Sequence, residues 1–259
     1  MRLGFVGSGA ITAAMVEGLS GGPLRDWPIV LSPRNAAVAA DLAARFGQVR
    51  VAADNQAVVD GADMVFVAVR PQVAEAVLAG LRFRPGQSIV SLVAALSVAR
   101  VAELTGGLSP VVRAIPLPFV AARTCVTPIH PADAAVAAIF DDLGGTIAVE
   151  HIAEFDAYGV TSALMATYFG LVDTAAGWAA QQGLPRAAAE RYLRNLFGNL
   201  GDVLRRHPDL PLPVLREEHS TRGGLNEMAH LRFEAEGGAA ALRAAMAAVK
   251  ARIDAAAQG

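Results

Sequence analysis

The sequence predicts an α/β chain in two parts. A doubly wound parallel sheet covered by helices occupies residues 1–150, and an all-helical domain occupies residues 151–259. Three observations carry this. Short apolar runs alternate with Ala-rich segments of helical spacing through the first half, the pattern of buried parallel strands with helices on both faces. Two glycines, Gly7 and Gly9, close the first apolar run and open the first helical segment. After His151 the strand-like runs give way to long helical stretches broken by Pro and Gly.

The strands are read in order as Arg2 to Val6, Ile29 to Leu31, Met64 to Val69, Ser88 to Val93 and Val111 to Ile115, with helices such as Ile11 to Leu19 and Ala36 to Phe46 between them. Cys125 to Ile129 and Thr146 to Val149 read as the last strands of the sheet. They flank a helix, Ala132 to Leu143, that Gly144 and Gly145 stop. Glu154 to Gln182 reads as one long helix. Arg186 to His207 reads as another, opened by Pro185 and closed by Pro208. The Pro-rich link Pro208 to Pro213, a short helix Val214 to Glu218 and a polar turn Ser220 to Gly224 follow. Two final helices are separated by Gly237 and Gly238.

The segment Leu3 to Thr12 carries the first functional signal. Gly7 permits a tight turn after the strand, Gly9 lets the backbone approach a pyrophosphate, and the helix beginning near Ala10 points free N–H groups at the anion. Gly7, Ser8, Gly9, Ala10 and Ile11 are therefore the expected phosphate cradle of a Rossmann-type dinucleotide-binding domain. Thr12 occupies the third position of the fingerprint, where Gly or Ala is usual. The second strand ends in Ser32-Pro33-Arg34-Asn35, without the acidic residue that would hold adenosine ribose hydroxyls. A hydroxyl, a guanidinium and an amide suit a 2′-phosphate, so Ser32, Arg34 and Asn35 predict NADPH, with NADH admissible as the second choice. Asn35 also stands where it would cap the next helix.

Composition excludes other classes. The formal net charge is −2 and charged residues make up 18% of the chain, so no basic surface for nucleic acid is expected. Hydrophobic residues make up 54%, enough for a sizeable core with apolar surface left for an oligomer interface. The longest uncharged apolar stretch lies between Asp156 and Asp173. It is shorter than the roughly 20 residues a membrane span needs, so no membrane association is expected. The N-terminal apolar run leads straight into the glycine loop and does not read as a secretory signal. The lone cysteine, Cys125, reads as a small buried hydrophobe in a reducing compartment, and a cytoplasmic location is expected. The histidines show no metal-ligand spacing with each other or with Cys125, so no metal is expected.

Several segments resemble the pyrroline-5-carboxylate reductase family. Gly7, Gly9 and Ala10 match its opening motif. Ala53-Asp54-Asn55, followed by Val58 and Ala62-Asp63, matches the segment before its fourth strand. Ala68-Val69-Arg70-Pro71-Gln72 is similar to its AVKPQ turn, with Arg for Lys, and Val112-Arg113-Ala114-Ile115-Pro116 looks like its VRVMP strand. The helical third, with Tyr168, Gly183-Leu184 and Ser220 to Gly224, falls in the family's order. The resemblance implies reduction of a cyclic imine, pyrroline-5-carboxylate or a related imino acid, by hydride transfer to its C=N carbon. It adds Asn55, Ala68, Val69 and Pro71 to the cofactor contacts. It implies that a turn opening a helix holds the substrate carboxylate through backbone N–H groups, here Ser220, Thr221, Arg222, Gly223, Gly224 and Leu225. It also implies an intertwined homodimer, for which the apolar span Ala157 to Val172 is suited; larger rings of dimers are compatible.

The departures from the family fall on the pocket side. The turn Ser220-Thr221-Arg222-Gly223-Gly224-Leu225-Asn226 lacks the Pro of SPGGTT and is one residue longer, so Leu225 and Asn226 stand where the family has its Thr pair. MPNTP becomes Ile115-Pro116-Leu117-Pro118, and the glycines of GSGPAY are lost in Ala163 to Tyr168. Asn226 and Arg70 are the candidate catalytic groups: Asn226 keeps a donor and an acceptor at the position of the Thr hydroxyl, and Arg70 follows the fourth strand where a nicotinamide should lie. His219, beside the turn, is a further candidate acid or a structural residue. Two alternatives stay open. A non-catalytic NADP-binding regulatory protein is one. A dehydrogenase of a small carbonyl or hydroxy acid is the other; the β-hydroxyacid class has a catalytic Lys on its interdomain helix, whereas the only lysine here is Lys250.

Overall fold

The computed structural model describes residues 1–94 and 96–258. The chain forms two compact units: Met1–Gly159 together with the stretch from Ala251 onward, and Val160–Lys250.

The first unit is built on one eight-stranded sheet. Its strands are β1 (Leu3–Val6), β2 (Ile29–Leu31), β3 (Val49–Val51), β4 (Met64–Val67), β5 (Ser88–Ser91), β6 (Val111–Ala114), β7 (Thr127–His130) and β8 (Thr146–Ala148), in the spatial order β3-β2-β1-β4-β5-β6-β7-β8. The helices α1 (Ala10–Ser20), α2 (Ala36–Arg45), α3 (Asn55–Gly61), α4 (Pro71–Ala79), α5 (Val98–Leu104) and α6 (Ala134–Asp142) connect them. Strand order reverses between β1 and β4, and in an open α/β sheet the crevice beyond the strand ends at that point is where ligands bind.

The strands are nearly uniformly apolar because both faces are covered, and their alternation divides the interior into two cores. Leu3, Phe5 and Phe66 face one core with α1 and α6; Val6, Val65 and Val67 face the other with α3 and α4. Phe5 pairs in register with Phe66 on β4, and their rings stack at 4.8 Å; Phe140 of α6 meets Phe66 edge-on at 6.4 Å. Arg100 of α5 grips Glu75 of α4 with two hydrogen bonds of 3.1 and 2.8 Å, which raises its pKa and ties the two helices together.

Three expectations are corrected. The sheet is not wholly parallel: β7 runs antiparallel to β6. Only a 3₁₀ turn, Pro118–Ala122, lies between them, and a parallel return needs a longer crossover. The edge strand β3 lies where no strand was expected; Val49-Arg50-Val51 is too short and too polar to show a period, and it pairs with β2 alone. The helix expected over Glu154 to Gln182 is two helices, α7 (Ile152–Ser162) and α8 (Met165–Gln181). Ala163 and Leu164 instead make i→i−3 bonds to Val160 and Thr161, a tightening that no Gly or Pro announces.

The second unit holds helices only among its described residues. They are α8, α9 (Arg186–Arg206), α10 (Leu212–Glu218), α11 (Leu225–Ala235) and most of α12 (Gly238–Gln258). α8 and α9 pack as a hairpin through Tyr168 against Phe197 at 5.9 Å, with Arg186 at the start of α9 paired to Asp173 and Glu190. No described helix is long and apolar enough to cross a membrane.

The stacked pair beneath the glycine loop sets the stability of the first unit. Phe66→Ala removes a fully buried ring from between Phe5 and Phe140 and is expected to cost about 3–5 kcal/mol, read as a lower urea midpoint. An unchanged midpoint would show that the two rings do not support this core.

Candidate active site

Gly7 leaves β1 with φ +105°, a conformation open to glycine and strained for other residues. A Cβ placed there would meet the carbonyl oxygen of Ala68 at 2.5 Å, so the loop after β1 and the turn after β4 touch backbone to backbone. Ala68 also donates its N–H to Val6 at 2.9 Å. Gly9 is different: nothing lies within 4 Å of a Cβ built on it. It is the N-cap of α1 and no side chain caps the helix, so the N–H groups of Ala10, Ile11 and Thr12 have no intrahelical partner. These features fit a dinucleotide pyrophosphate, which needs close backbone approach and a helix N-terminus.

Thr12, the departure from the usual fingerprint, has a specific use. Its side chain is fully buried and its hydroxyl donates to the carbonyl of Gly7 at 2.7 Å, closing the loop from below. A second chain of bonds fixes the neighbouring strand end. Ser8 donates to the Ser32 carbonyl, Ser32 donates to Asn55 Oδ1 at 2.7 Å, and the amide of Arg34 donates to the Ser32 hydroxyl at 3.4 Å. Ser32 is fully buried, so it orients Asn55 and the backbone of Arg34. The groups at this strand end that reach solvent are Arg34 and Asn35. Asn35 is the N-cap of α2 but makes no side-chain cap bond, which leaves its amide available.

Arg70 is the exposed N-cap of α4, followed by Pro71 at the first helical turn. Val69 lies 3.1 Å from the Cβ position on Gly7. The structure thus gathers Gly7, Ser8, Gly9, Ala10 and Ile11 with Ala68 and Val69, and it places Ser32, Arg34, Asn35 and Asn55 together at the adjacent strand end.

In the second unit, Ser220 to Gly224 is a turn that opens α11, with Gly223 at φ +73°. Three of its backbone donors are used: Ser220 N–H bonds to the Glu217 carbonyl at 3.0 Å, Gly224 N–H to the Thr221 carbonyl at 2.8 Å, and Gly223 N–H to the carboxylate of Glu227 at 2.6 Å. Asn226 donates one amide N–H to the carbonyl of His219 at 2.9 Å. His219 Nδ1 lies 2.8 Å from the Leu215 carbonyl and donates to it. Arg222 and Leu225 are exposed. The first-turn N–H groups of α11, including those of Leu225 and Asn226, have no side-chain cap.

Sequence reasoning missed two elements of this geometry. Thr12 stood out in the sequence only as a departure from the fingerprint, although a hydroxyl early in the helix can reach back to the loop carbonyl. Glu227 went unread, although an acid three residues into a helix is the usual reach-back partner of an N-terminal turn. Among the described residues no group of His, Cys, Asp and Glu is placed to hold a metal.

Residues 2–95 match the family model described as NADP oxidoreductase, coenzyme F420-dependent. With a glycine loop at the switch point of the sheet, this makes the chain an NAD(P)-dependent oxidoreductase. Residues 153–256 match the model for pyrroline-5-carboxylate reductase dimerisation. The pyrroline-5-carboxylate reductase of Pseudomonas aeruginosa is 28% identical over 263 residues, covering 97% of this chain and 95% of that one. Nearly the whole chain is thus similar to a pyrroline-5-carboxylate reductase. Solved structures share the fold: the Streptococcus pyogenes enzyme of that name matches with a TM-score of 0.84 at 22% identity over 100% of this chain and 99% of that one. The Plasmodium falciparum pyrroline carboxylate reductase, solved with NADP bound, matches with 0.80 at 16% over 99% and 98%.

The contrast between the two glycines is testable. Gly9→Ser puts a side chain into open space at a position where serine caps well. Its unfolding free energy is expected to stay within about 1 kcal/mol of the parent, while NADPH affinity falls by about tenfold or more. Gly7→Ser is expected to destabilise the fold by about 1–3 kcal/mol through its φ and the Ala68 carbonyl. Urea denaturation and fluorescence titration with NADPH read the two effects; equal behaviour of the two variants would contradict the division of roles.

Proposed function

We propose that this protein reduces the C=N bond of a cyclic imino acid with NADPH, converting pyrroline-5-carboxylate to proline. The observation that carries the reading is the glycine loop locked against Ala68 and Val69, the cofactor side of the resemblance, which is largely kept. In this reading the nicotinamide, when bound, supplies the hydride. The N–H groups of Gly9, Ala10 and Ile11 hold the pyrophosphate, Asn55 and the Ala68–Pro71 turn line the cofactor, and Arg34 and Asn35 take the 2′-phosphate. Arg70 contacts the reacting end of the cofactor or its substrate.

The substrate carboxylate is assigned to the Ser220–Leu225 turn, where the open N–H groups of α11 and the Arg222 guanidinium are suited to an anion. Asn226 keeps one amide N–H and its Oδ1 for the imine side. An amide does not titrate, so the proton that accompanies the hydride arrives on the iminium form of the substrate.

The functional unit is a homodimer. The second unit leaves large apolar side chains exposed, among them Phe169, Trp178, Tyr192, Met228 and Leu231, and such a surface marks an interface. A monomeric mass by light scattering across a dilution series would refute it. The lone buried cysteine is consistent with a cytoplasmic setting.

The carboxylate already seated on Gly223 favours a second reading, an NADP-binding protein without imine turnover. Loss of NADPH absorbance with pyrroline-5-carboxylate, beside other cyclic imines and 2-keto acids, separates them. Turnover of pyrroline-5-carboxylate is expected; tight NADPH binding with no turnover of any panel member would support the second reading. Glu227→Ala frees the Gly223 N–H and is expected to lower the KM for the imino acid by about threefold to tenfold with kcat little changed. Arg34→Ala is expected to raise the KM for NADPH by about tenfold and to leave that for NADH unchanged. An equal effect on both cofactors would remove Arg34 from the 2′-phosphate site.

A further inference from the structure

Arg113 interrupts the otherwise apolar strand β6, and the reason is not apparent from the nucleotide site. Its residue is only 8% exposed. Its guanidinium lies over the ring of Phe155 at 4.7 Å and 4.0 Å from the carboxylate of Asp156 on α7, too far for a hydrogen bond. Among the described residues no acceptor hydrogen-bonds it, and Asp156, whose side chain is 12% exposed, receives no hydrogen bond either. Burial pushes the pKa of Arg113 down, and the nearby Asp156 charge only partly offsets this. Two buried opposite charges held apart, each with unused hydrogen-bonding capacity, are costly unless something else completes them.

Both charges line one cavity of about 220 Å³ at the β6–β7 side of the sheet, within the first unit. His130 of β7 lines it too, with Nδ1 fixed by the Val149 carbonyl at 3.1 Å. The remaining wall is mostly aliphatic, with Val98, Ile152 and Ile253; Ser97 lines it too, its hydroxyl accepting the Arg100 N–H at 3.1 Å. The charges select the occupant. A carboxylate suits Arg113 but is repelled by Asp156, and an amine suits Asp156 but is repelled by Arg113. A molecule with both groups on one carbon satisfies the two together and turns its aliphatic side to the wall. We propose that this cavity binds a small α-amino or imino acid as its zwitterion. The proposal goes beyond the reductase reading and does not depend on the Ser220–Leu225 turn.

Calorimetric titration of the full-length protein, with and without saturating NADPH, tests it. The probes are L-alanine, L-valine and L-proline, with isobutyrate and isobutylamine as the separated halves. One amino acid is expected to bind per chain, about tenfold or more tighter than either half. Arg113→Met and Asp156→Asn are each expected to weaken binding by about tenfold or more. Ala99→Leu, on a wall that carries no charge, is expected to abolish it by filling the space. Retained NADPH binding and an unchanged circular dichroism spectrum certify that each variant is folded. Absence of binding by all three amino acids, equal binding by the halves, or binding that survives both Arg113→Met and Ala99→Leu overturns the proposal. Failure of the reductase reading, seen as no imine turnover, leaves these titrations unaffected.

Discussion

The contact on which the first unit depends is the one between Gly7 and Ala68. Two stretches of backbone from strands β1 and β4 lie so close that a single Cβ between them would meet a carbonyl oxygen at 2.5 Å. That approach fixes where the glycine loop sits relative to the fourth strand, and with it the crevice at the point where strand order reverses. The stacked rings of Phe5 and Phe66, in register on the same two strands, hold the approach from below. The buried hydroxyl of Thr12 holds it from the helix side. The loop is therefore preorganised: the helix-start N–H groups after Gly9 have no intrahelical partner, while the backbone beside them is held by close packing.

A site made of backbone is readable from glycines, and a site made of side chains is not. Gly7 and Gly9 announce the cradle because only glycine tolerates the φ of the first or leaves the space above the second. The alternation of apolar strands and Ala-rich helices likewise follows from burial on both faces. What escaped was set by contacts remote in sequence. The direction of β7 depends on the absence of a crossover helix, β3 exists because β2 offers it an edge, and the break at Ala163 and Leu164 replaces one hydrogen-bond pattern by another without a breaker residue. The burial of Ser32, which makes it a support for Asn55, could not be told from its position at a strand end.

Arg113 shows how a single misfit residue can be informative. In a strand reading Val-Val-Arg-Ala every neighbour is apolar, and a buried guanidinium there opposes local preference. Such conflicts are retained where a site requires them. The sequence marks the conflict, but the partner that explains it, Asp156, lies on a helix outside the sheet core, and the aliphatic wall comes from three separate elements.

The turn before α11 holds the remaining tension. A helix N-terminus attracts a carboxylate whatever its source. Here the chain supplies one of its own: Glu227, three residues into the helix, reaches back to the Gly223 N–H at 2.6 Å. An intrachain carboxylate stabilises the empty turn and competes with any substrate that would use the same donor, so affinity for an anion is exchanged for order in its absence. The same logic governs Asn226. By spending one N–H on the His219 carbonyl, its amide is held in one orientation, and what remains for a ligand is a single donor and a single acceptor in fixed positions. A hydroxyl can rotate to serve either role, whereas this amide cannot. In the proposed reading, specificity in this turn rests on the two side chains that sequence similarity describes least well, while the nucleotide loop rests on backbone that it describes best.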